Sequence, residues 1–392
     1  MGMNNILLFD NPIWRNQLKP LTLTRPISYL RIGILTIIEK WESYLDCDIS
    51  SLSETYLQSK YTPKYAEINT YINSSFLPDK NLVEEILGLK ENCYLKYENQ
   101  IVAFKSSLRL DFDFPVESFE CVFYPYELQF ISRLPDLFLK NVKQIELDFD
   151  LVTLNRKSEV LSDKFTIVYN ENNIFIEKGA IIKAAILNAE NGPIYIGKNA
   201  VIQEGSLLIG PVAIGDQAMV AFGAKIRPNT TLGPSCRVGG EVGNTIFQGF
   251  SNKAHDGFLG NSYIGEWCNL GANTNNSNLK NDYKSVKLFD FNTQSLQDTG
   301  ELFCGTFMGD FSKAGISTMF NTGTVIGVSA NVFGSGFQDK YIQSFTWGGK
   351  MEGYENYRFE KAIEVINATL ARKELQLTPN EYQILEYIAQ QK

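Results

Sequence analysis

The stretch IGKNAVIQEGSLLIGPVAIGDQAMVAFGAKIRPNTTLGPSCRVGG, residues 196–240, carries an aliphatic side chain at every sixth position. The residues in this phase are Ile196, Ile202, Leu208, Ile214, Val220, Ile226, Leu232 and Val238. Because 44% of the chain is hydrophobic, eight such residues in one fixed phase would arise by chance on the order of once in a thousand. A second run with the same step comprises Leu302, Met308, Ala314, Phe320, Ile326 and Val332. The chain therefore contains an internal repeat.

A step of six is the period of the hexapeptide repeats that build a parallel β-helix. Each repeat supplies one strand and one corner, and three repeats close a coil whose periodic aliphatic residue points inward. Glycine and asparagine suit the corners because they tolerate positive φ. We therefore predict a parallel β-helix over residues 166–350. The period fails at 244–263 and at 273–301, where we expect loops that leave the coil, and His255, the only histidine in 392 residues, lies in the first gap.

The regions before and after the repeat have different sequence patterns. Residues 1–165 mix strand and helix patterns, which favours an α/β domain. We expect strands at 5–9 and 99–106, helices at 26–45 and 83–90, and a connecting helix at 147–168. Residues 351–392 have helical spacing that is broken near Pro379, which predicts a helical tail packed on the solenoid end or on a neighbouring subunit.

Composition narrows the range of partners. The net charge is −8 and the pI is near 5.0, without a dense basic region, so nucleic acid is not expected as a partner. No apolar window approaches 18 residues, and the N-terminus lacks the features of a signal peptide, so we expect a cytoplasmic protein without a membrane partner. The six cysteines are scattered without a CxxC pair, which argues against a zinc site.

Residues 240–284, GEVGNTIFQGFSNKAHDGFLGNSYIGEWCNLGANTNNSNLKNDYK, resemble the acetyltransferase segment of the bifunctional family that makes UDP-N-acetylglucosamine. That family combines glucosamine-1-phosphate N-acetyltransferase and N-acetylglucosamine-1-phosphate uridylyltransferase activities. The matching positions are His255, Phe258, Gly260, Ile264–Gly265, Asn269–Leu270–Gly271–Ala272, Asn278 and Lys284. The resemblance implies a left-handed β-helix, a homotrimer and acetyl-CoA as co-substrate.

The resemblance also implies a role for each residue. His255 is the expected general base, since acetyl transfer needs a deprotonated amine, and Glu241 is expected to orient or polarise its imidazole. Backbone N–H groups of Gly271 and Ala272 would stabilise the thioester oxygen. The expected sugar-phosphate contacts are Arg227, Phe258, Asn269, Asn278 and Lys284. Taken singly, each of these residues also has a non-functional interpretation. A histidine in a loop has about even odds of being structural. A single Lys or Arg is more often a solvated surface charge than a ligand contact.

Two positions depart from the family pattern. Gly243 replaces a family lysine that contacts phosphate, and Phe258 replaces the usual tyrosine and loses its hydroxyl. We therefore expect weaker acceptor binding or a different acceptor.

The N-terminal region resembles sugar nucleotidyltransferases through Pro20–Leu21–Thr22 and Arg25–Pro26, but DNPIWRNQ replaces the Gly-rich phosphate loop. If this domain transfers uridylyl groups from UTP, Arg15, Lys19 and Arg25 would bind phosphate, Asn73 would contact the nucleotide and Asp79 would be the nearest ligand for Mg²⁺. The alternative, a degenerate structural or regulatory domain, is equally favoured.

Three functions remain open from the sequence. The first is acetyl transfer from acetyl-CoA to glucosamine-1-phosphate or a related amino-sugar phosphate, with or without a coupled uridylyl transfer that gives UDP-N-acetylglucosamine. The second is a sugar-1-phosphate nucleotidyltransferase whose β-helix only oligomerises or regulates. The third is a trimeric scaffold without catalysis. The sequence leaves open the sugar, the nucleotide, and trimer against hexamer.

Overall fold

The computed structural model describes residues 5–109 and 118–391. The N-terminal part is built on a six-stranded sheet of order β2-β1-β3-β5-β4-β6. Its strands are β1 (Asn5–Phe9), β2 (Ser50–Leu52), β3 (Asn69–Asn73), β4 (Cys93–Tyr97), β5 (Gln100–Ser106) and β6 (Glu120–Phe123). Strand β1 is parallel to both neighbours, whereas β5 is antiparallel to β3 and β4. The predicted α/β domain is confirmed.

The helices of this domain differ in extent from the prediction. They are α1 (Pro12–Gln17), α2 (Ile37–Leu45), α3 (Lys80–Gly88) and α4 (Leu134–Thr153), with 3-10 turns at Ile27–Tyr29 and Thr55–Leu57. The helix expected over 26–45 begins only at α2, because Thr36 and Glu39 form a capping box there. The connecting helix expected over 147–168 is α4, which starts at a capping box formed by Arg133 and Asp136. It ends where Leu154 takes a non-helical backbone conformation.

The second part is a parallel β-solenoid with three strand rows, which we name the first, second and third faces. The first face contains Ile167–Tyr169, Ile186–Asn188, Leu207–Ile209, Lys225–Ile226, the starts of Glu241–Gly249 and Phe258–Glu266, Asn275–Asn276 and Met319–Phe320. The second face contains Ile174–Ile176, Ile194–Ile196, Val212–Ile214, Thr230–Leu232, the ends of those two long strands, Thr306–Met308, Thr324–Ile326 and Tyr341–Ile342. The third face contains Ile181–Ile182, Val201–Ile202, Met219–Val220, Arg237–Val238, Asn252–Lys253, Asn269–Leu270, Lys313–Ala314, Asn331–Val332, Thr346–Gly349 and Gly353–Asn356.

The aliphatic residues at the step of six form the interior of the solenoid. All eight members of the first run are at most 1% exposed, and Met308, Ala314, Phe320, Ile326 and Val332 of the second run are also buried. These residues are in register between neighbouring coils; Leu208, for example, is the register partner of Ile226. The predicted repeat architecture is therefore confirmed. Leu302 is the exception, since it is 48% exposed and precedes the first strand of its run.

The two gaps in the period have different structural causes. Residues 244–263 do not leave the solenoid as expected. There the chain passes from the first to the second face in two unbroken nine-residue strands, Glu241–Gly249 and Phe258–Glu266, so each coil is shorter than 18 residues. The second gap does leave the coil, as an antiparallel hairpin of Lys287–Asp290 and Ser295–Asp298.

The tail forms two helices, α5 (Phe359–Ala371) and α6 (Pro379–Gln390), and Pro379 occupies the first turn of α6, where its missing N–H costs nothing. Helix α6 packs on the N-terminal domain: the rings of Tyr56 and Tyr387 stack with centroids 4.1 Å apart, and Lys60 pairs with Glu381 at 2.8 Å. The helical tail is confirmed. Among the described residues, no helix combines the length and apolarity that a bilayer crossing requires.

The N-terminal domain and the solenoid share a hydrophobic core. Phe138 of α4 stacks on Phe307 of the second face with ring centroids 6.2 Å apart. The hydroxyl of Tyr263 accepts a hydrogen bond from the backbone N–H of Arg31 at 3.0 Å. Burial of this shared apolar surface joins the two domains into one body.

Candidate active site

His255 lies at the corner where the chain passes from the third face to the first. Its side chain is exposed; of the two residues beside it, Asp256 is exposed and Ala254 is half-buried. The next coil stacks directly on this corner, because the N–H of Asn273 donates to the carbonyl of Asp256 at 2.9 Å. The corner at Ala272 therefore lies one coil spacing, about 4.8 Å, from the histidine corner. The imidazole is available to solvent and is not packed inside the solenoid.

Lys253 holds this corner from inside. It occupies the inward position that Val238 occupies in the previous coil, and its side chain is fully buried. Its ammonium group donates to the carbonyls of His255 and Asp256 at 3.2 and 3.3 Å. Burial lowers the pKa of Lys253 to about 8, although the Asp256 carboxylate acts in the opposite direction.

This buried lysine makes stability depend on pH. The unfolded chain has the ordinary lysine pKa of 10.5, so between about pH 8 and 10.5 it binds more protons than the folded chain. Lys253 by itself therefore adds to the free energy of unfolding as pH rises across that window, by about 3 kcal/mol at most. The buried thiols of Cys236, Cys268 and Cys304, whose pKa values burial raises to about 12, act in the opposite direction. The difference in free energy of unfolding between the wild type and Lys253→Met should therefore move in favour of the wild type as pH rises, as measured by urea unfolding at about pH 7.5, 8.5 and 9.5. An unchanged pH slope in the variant would contradict the assignment.

A cleft of about 420 Å³ opens where the first face passes to the second, and Phe258, three residues after His255, is one of its lining residues. Three of the predicted substrate contacts line it together: Arg227, Phe258 and Asn278. The amide of Asn278 donates to the side-chain oxygen of Asn261 at 2.8 Å, which fixes its orientation. A Cβ at Gly260 would lie 2.7 Å from the ring of Phe258 and 2.8 Å from the Asn278 amide, so both side chains would have to shift to accept it. The cleft thus combines a cation, an aromatic ring and an oriented amide.

Glu241 lies in this region but does not contact the imidazole as expected. Its carboxylate pairs with the Arg227 guanidinium at 3.1 Å, and its backbone N–H donates to the carbonyl of Gly257 at 3.1 Å. Glu241 is also the register partner of Phe258 on the adjacent strand. It therefore orients Arg227 and supports the corner through its backbone.

The two predicted oxyanion donors, the backbone N–H groups of Gly271 and Ala272, differ in whether they are already hydrogen-bonded. The N–H of Gly271 already donates to the carbonyl of Ala314 in the next coil at 2.9 Å. A Cβ at Gly271 would lie 2.8 Å from Gly315, so the close approach of the coils requires glycine here. Within the described residues, the N–H of Ala272 has no hydrogen-bond partner, although its carbonyl accepts from Ser317 at 2.8 Å. Of the two, only Ala272 has an N–H that can bind a substrate oxygen.

The two remaining predicted contacts lie elsewhere. The side chain of Asn269 accepts from the amide of Asn252 at 2.7 Å on the third face, and it lines a different cleft. Lys284 is exposed on the segment that leads into the hairpin, and its ammonium is 3.7 Å from Asp282. Neither lines the cleft that contains Arg227.

In the N-terminal domain, carboxylates already engage two of the three predicted phosphate cations. The buried Arg15 pairs with Asp10 at 2.8 Å. The buried Arg25 pairs with Asp310 and, at 3.1 Å, with Glu266, both on the solenoid. Burial alone would lower the pKa of Arg25, but these carboxylates raise it well above its ordinary value. Arg25 is thus part of the domain junction.

The phosphate loop and the metal site do not have the expected form. In place of a Gly-rich loop the chain forms α1, and the Asn11 side chain accepts hydrogen bonds from the backbone N–H groups of Ile13 and Trp14. Asp79 caps α3 by accepting from Leu82 at 2.9 Å. Over 5–109 and 118–391 no group of three or more His, Cys, Asp or Glu residues could hold a metal ion. The Asp79 carboxylate is thus already used in capping α3, and it is not part of such a group.

Lys19 and Asn73 complete the predicted nucleotide set. Lys19 lines a cleft of about 320 Å³ with Arg15 and Tyr56, and burial lowers its pKa. The side chain of Asn73 is used within the domain, since it donates to the carbonyl of Ile101 at 3.2 Å and accepts from Ser75 at 3.1 Å. Lys19 is therefore the predicted nucleotide contact that remains most available.

Sequence reasoning missed Asn261 and Phe303, and it did not show that Lys253 is buried. The register partner of Lys253 in the previous coil is Val238, and the spacing between them is not a multiple of six, so the repeat does not reveal the inward position of the lysine. Phe303 follows the hairpin in the sequence and lines the cleft. No feature of the neighbouring sequence indicates this contact.

Comparison with known families supports the two-part architecture. Residues 6–157 match the sugar nucleotidyl transferase family. A bifunctional protein GlmU from Methanocaldococcus jannaschii is 36% identical over 126 residues, 32% of this chain and 30% of the relative. The GlmU of Methanococcus maripaludis is 32% identical over 184 residues, 45% of this chain and 43% of the relative. A bifunctional sugar-1-phosphate nucleotidylyltransferase/acetyltransferase from Sulfurisphaera tokodaii is 29% identical over 170 residues, 43% of this chain and 40% of the relative.

Two solved structures are also similar to parts of the chain. An Arabidopsis UDP-N-acetylglucosamine acyltransferase shares 14% identity over 54% of this chain and 76% of its own, with a TM-score of 0.24. A point mutant of AntD, an N-acyltransferase from Bacillus cereus, shares 17% identity over 53% of this chain and 91% of its own, also with a TM-score of 0.24. Scores this low add no weight to the assignment. The family match over 6–157 and the sequence relatives together show that the N-terminal part is similar to sugar nucleotidyl transferases and that parts of the chain are similar to GlmU-like bifunctional proteins.

Proposed function

We propose that the protein transfers the acetyl group of acetyl-CoA to the amine of glucosamine-1-phosphate or a related amino-sugar phosphate. The observation that carries this proposal is the exposed imidazole of His255 at the corner that leads into Phe258, together with the cleft that Phe258 lines with Arg227 and Asn278. The names of the relatives, which include an acetyltransferase, support it. The chain covers less than half of the length of those relatives.

The residues of the corner can perform each step of such a transfer. The imidazole of His255 takes a proton from the attacking amine, whose nitrogen forms a bond to the thioester carbonyl carbon. The carbonyl oxygen gains negative charge, which the N–H of Ala272 can stabilise from the adjacent coil. The carbon–sulfur bond then breaks, and the thiolate of coenzyme A leaves and takes up a proton. Arg227, oriented by Glu241, can bind the sugar phosphate.

Gly243 can be tested as the position that makes room for Arg227. A Cβ at 243 would lie 2.9 Å from the Cβ of Arg227, so a side chain at 243 would push Arg227 out of the position it has in this structure. We expect Gly243→Ala to displace Arg227 and raise the KM for the sugar phosphate by about tenfold, with the KM for acetyl-CoA unchanged. Steady-state kinetics with each substrate varied in turn measures both values. Equal effects on both would show that the substitution disturbs the coil instead of this contact.

The proposed reaction is tested by mass spectrometry of the products. Purified protein is incubated with acetyl-CoA and glucosamine-1-phosphate, and then with glucosamine-6-phosphate or glucosamine as competing acceptors. A mass gain of one acetyl group on the 1-phosphate supports the proposal. Turnover of acetyl-CoA only on other acceptors would change the substrate, and no acetylated product from any amino sugar would contradict the reaction.

Uridylyl transfer from UTP and Mg²⁺ is the second candidate, favoured by the family match over 6–157. The engagement of Arg15 and Arg25 by carboxylates argues against it. A release of pyrophosphate from UTP and N-acetylglucosamine-1-phosphate that Lys19→Met abolishes would establish it. The alternative in which the solenoid only oligomerises or regulates is not favoured, because it leaves the corner of His255 without a role.

We also propose that the protein is a cytoplasmic homotrimer, as acetyl-CoA and nucleotide chemistry and a flat-faced solenoid suggest. The outward side chains of the first face include the exposed apolar residues Ile167, Tyr169, Leu207 and Ile209, which suit a second copy of the chain. Light scattering should report three times the mass of the 44.3 kDa chain.

A further inference from the structure

The outer side of the third face and helix α5 enclose an open cleft of about 600 Å³. Arg237 and Lys313 reach it from the first positions of two third-face strands, and Arg372 and Lys373 reach it from the end of α5. Among the residues that the structure describes, no carboxylate lines it. We refer to it as the cationic cleft.

The charges of these four cations are not neutralised by acidic side chains. Within the described part of the chain, none of the four forms a salt bridge with an Asp or Glu side chain. Lys313 instead donates to the carbonyl of Trp267 at 2.9 Å and lies 3.5 Å from the hydroxyl of Thr369. Four such cations in one concave site are unexpected in a chain of net charge −8, where carboxylates outnumber cations. Such a site concentrates anions from solution.

The size and the walls of the cleft suit a small ligand. Its volume of about 600 Å³ falls in the range of small-molecule sites. One wall is aromatic, because Trp267 and Phe250 line it with their ring centroids stacked 4.4 Å apart. An arginine guanidinium can donate two hydrogen bonds to the oxygens of one phosphate group. An aromatic wall suits the planar base of a nucleotide.

The cleft is continuous with the histidine corner. Ala254, the residue directly before His255, lines it, as does Asn269, two residues before Gly271. A ligand held by its phosphates in the cleft can therefore extend toward the imidazole.

We propose that the cationic cleft binds the diphosphate of a nucleotide-bearing ligand, with Arg237, Lys313, Arg372 and Lys373 as the phosphate contacts. This inference rests on the proposed function for its link to catalysis, but the anion site itself does not depend on it. Two ligands carry the required chemistry, the acyl donor coenzyme A and a sugar nucleotide such as UDP-N-acetylglucosamine.

The test compares binding by calorimetry for the full-length protein and an Arg372→Met/Lys373→Met variant. Both side chains are exposed beyond the end of α5, so the variant should fold with an unchanged unfolding midpoint. The matched control is Lys361→Met, an exposed cation on the same helix that does not line the cleft. The probes are coenzyme A, ADP and UDP-N-acetylglucosamine.

We expect the double variant to raise the Kd of at least one probe by about tenfold or more, and to weaken the salt dependence of that Kd, while Lys361→Met changes neither. Loss confined to coenzyme A and ADP assigns the cleft to the acyl donor, and loss confined to UDP-N-acetylglucosamine assigns it to a sugar nucleotide. An unchanged Kd for every probe, or a Kd too weak to measure for wild type with all three, would overturn the inference. An Arg237→Met variant checks the result from the solenoid side.

The result is separable from the proposed reaction. His255→Ala should retain wild-type affinity for the probe that the cleft binds, since the imidazole does not line it. If acetyl transfer fails but the double variant loses nucleotide affinity, the proposed function is wrong and the cleft stands. If acetyl transfer proceeds while the cleft variants bind and react as wild type, the cleft inference is wrong and the reaction stands.

Discussion

Replacing His255 with alanine is expected to lower kcat/KM for acetyl transfer by about 10²- to 10⁴-fold, because the reaction would lose its general base. The loss should appear in kcat, with little change in the KM for acetyl-CoA. The ring is exposed and its removal leaves the hydrogen bonds from Lys253 to the corner carbonyls in place, so the fold should be unaffected. Stopped-time assays with radiolabelled acetyl-CoA measure the rates.

The matched control for this variant is Asp256→Asn, a change at the next exposed residue of the same corner. It removes a charge without touching the imidazole, and its carbonyl still accepts from Lys253 and Asn273. We expect it to keep most of the activity. Wild-type acetyl transfer by His255→Ala would rule out this imidazole as the base.

Replacing Arg25 with methionine is expected to lower the free energy of unfolding by about 3–5 kcal/mol. Arg25 is buried against Asp310, which is itself 3% exposed, and Thr24 donates to the same carboxylate at 2.6 Å. Removing the guanidinium leaves a buried carboxylate without a counter-charge at the junction of the N-terminal domain and the solenoid. Urea unfolding followed by circular dichroism measures the change.

A double-mutant cycle separates the ion pair from general packing. Arg25→Met combined with Asp310→Asn should be more stable than Arg25→Met alone, since the uncompensated charge is gone. Lys361→Met, which breaks an exposed pair with Glu364, serves as the control and should cost less than about 1 kcal/mol. A loss that the second substitution does not relieve would show that Arg25 acts only by filling space. A loss in uridylyl transfer without a loss in stability would favour a phosphate role.

The solenoid could be predicted from the sequence because its core is periodic. Each strand of the stacked coils turns at least one side chain into the interior, so a recurring phase of aliphatic residues, such as Val220 and Val238, specifies the stacking. The same reasoning fails where the coil shortens. Over Glu241–Gly249 the chain turns the corner between two faces as one continuous strand. The loss of the six-residue period there, which the sequence analysis interpreted as a loop, marks a longer strand instead.

The site was predictable only in part. Phe258 and Asn278 both line the cleft. In a solenoid, residues separated by whole coils along the chain stack above one another, so their spacing in the sequence predicts that they lie near each other. The partners of charged residues were not predictable, since Arg25 and Asp310 are 285 residues apart and nothing local indicates that they meet. For the same reason the sequence could not show that Glu241 pairs with Arg227 and not with the imidazole.

The most direct test of the central claim uses the fact that the chain has one histidine. Proton NMR of the imidazole reports its titration without overlap from other imidazoles, and the pH dependence of kcat/KM for acetyl transfer reports the essential base of the free enzyme. We predict that the acid limb of the rate profile has the same midpoint as the NMR titration of His255. A rate profile with no inflection at that midpoint would contradict the claim that this imidazole takes the proton.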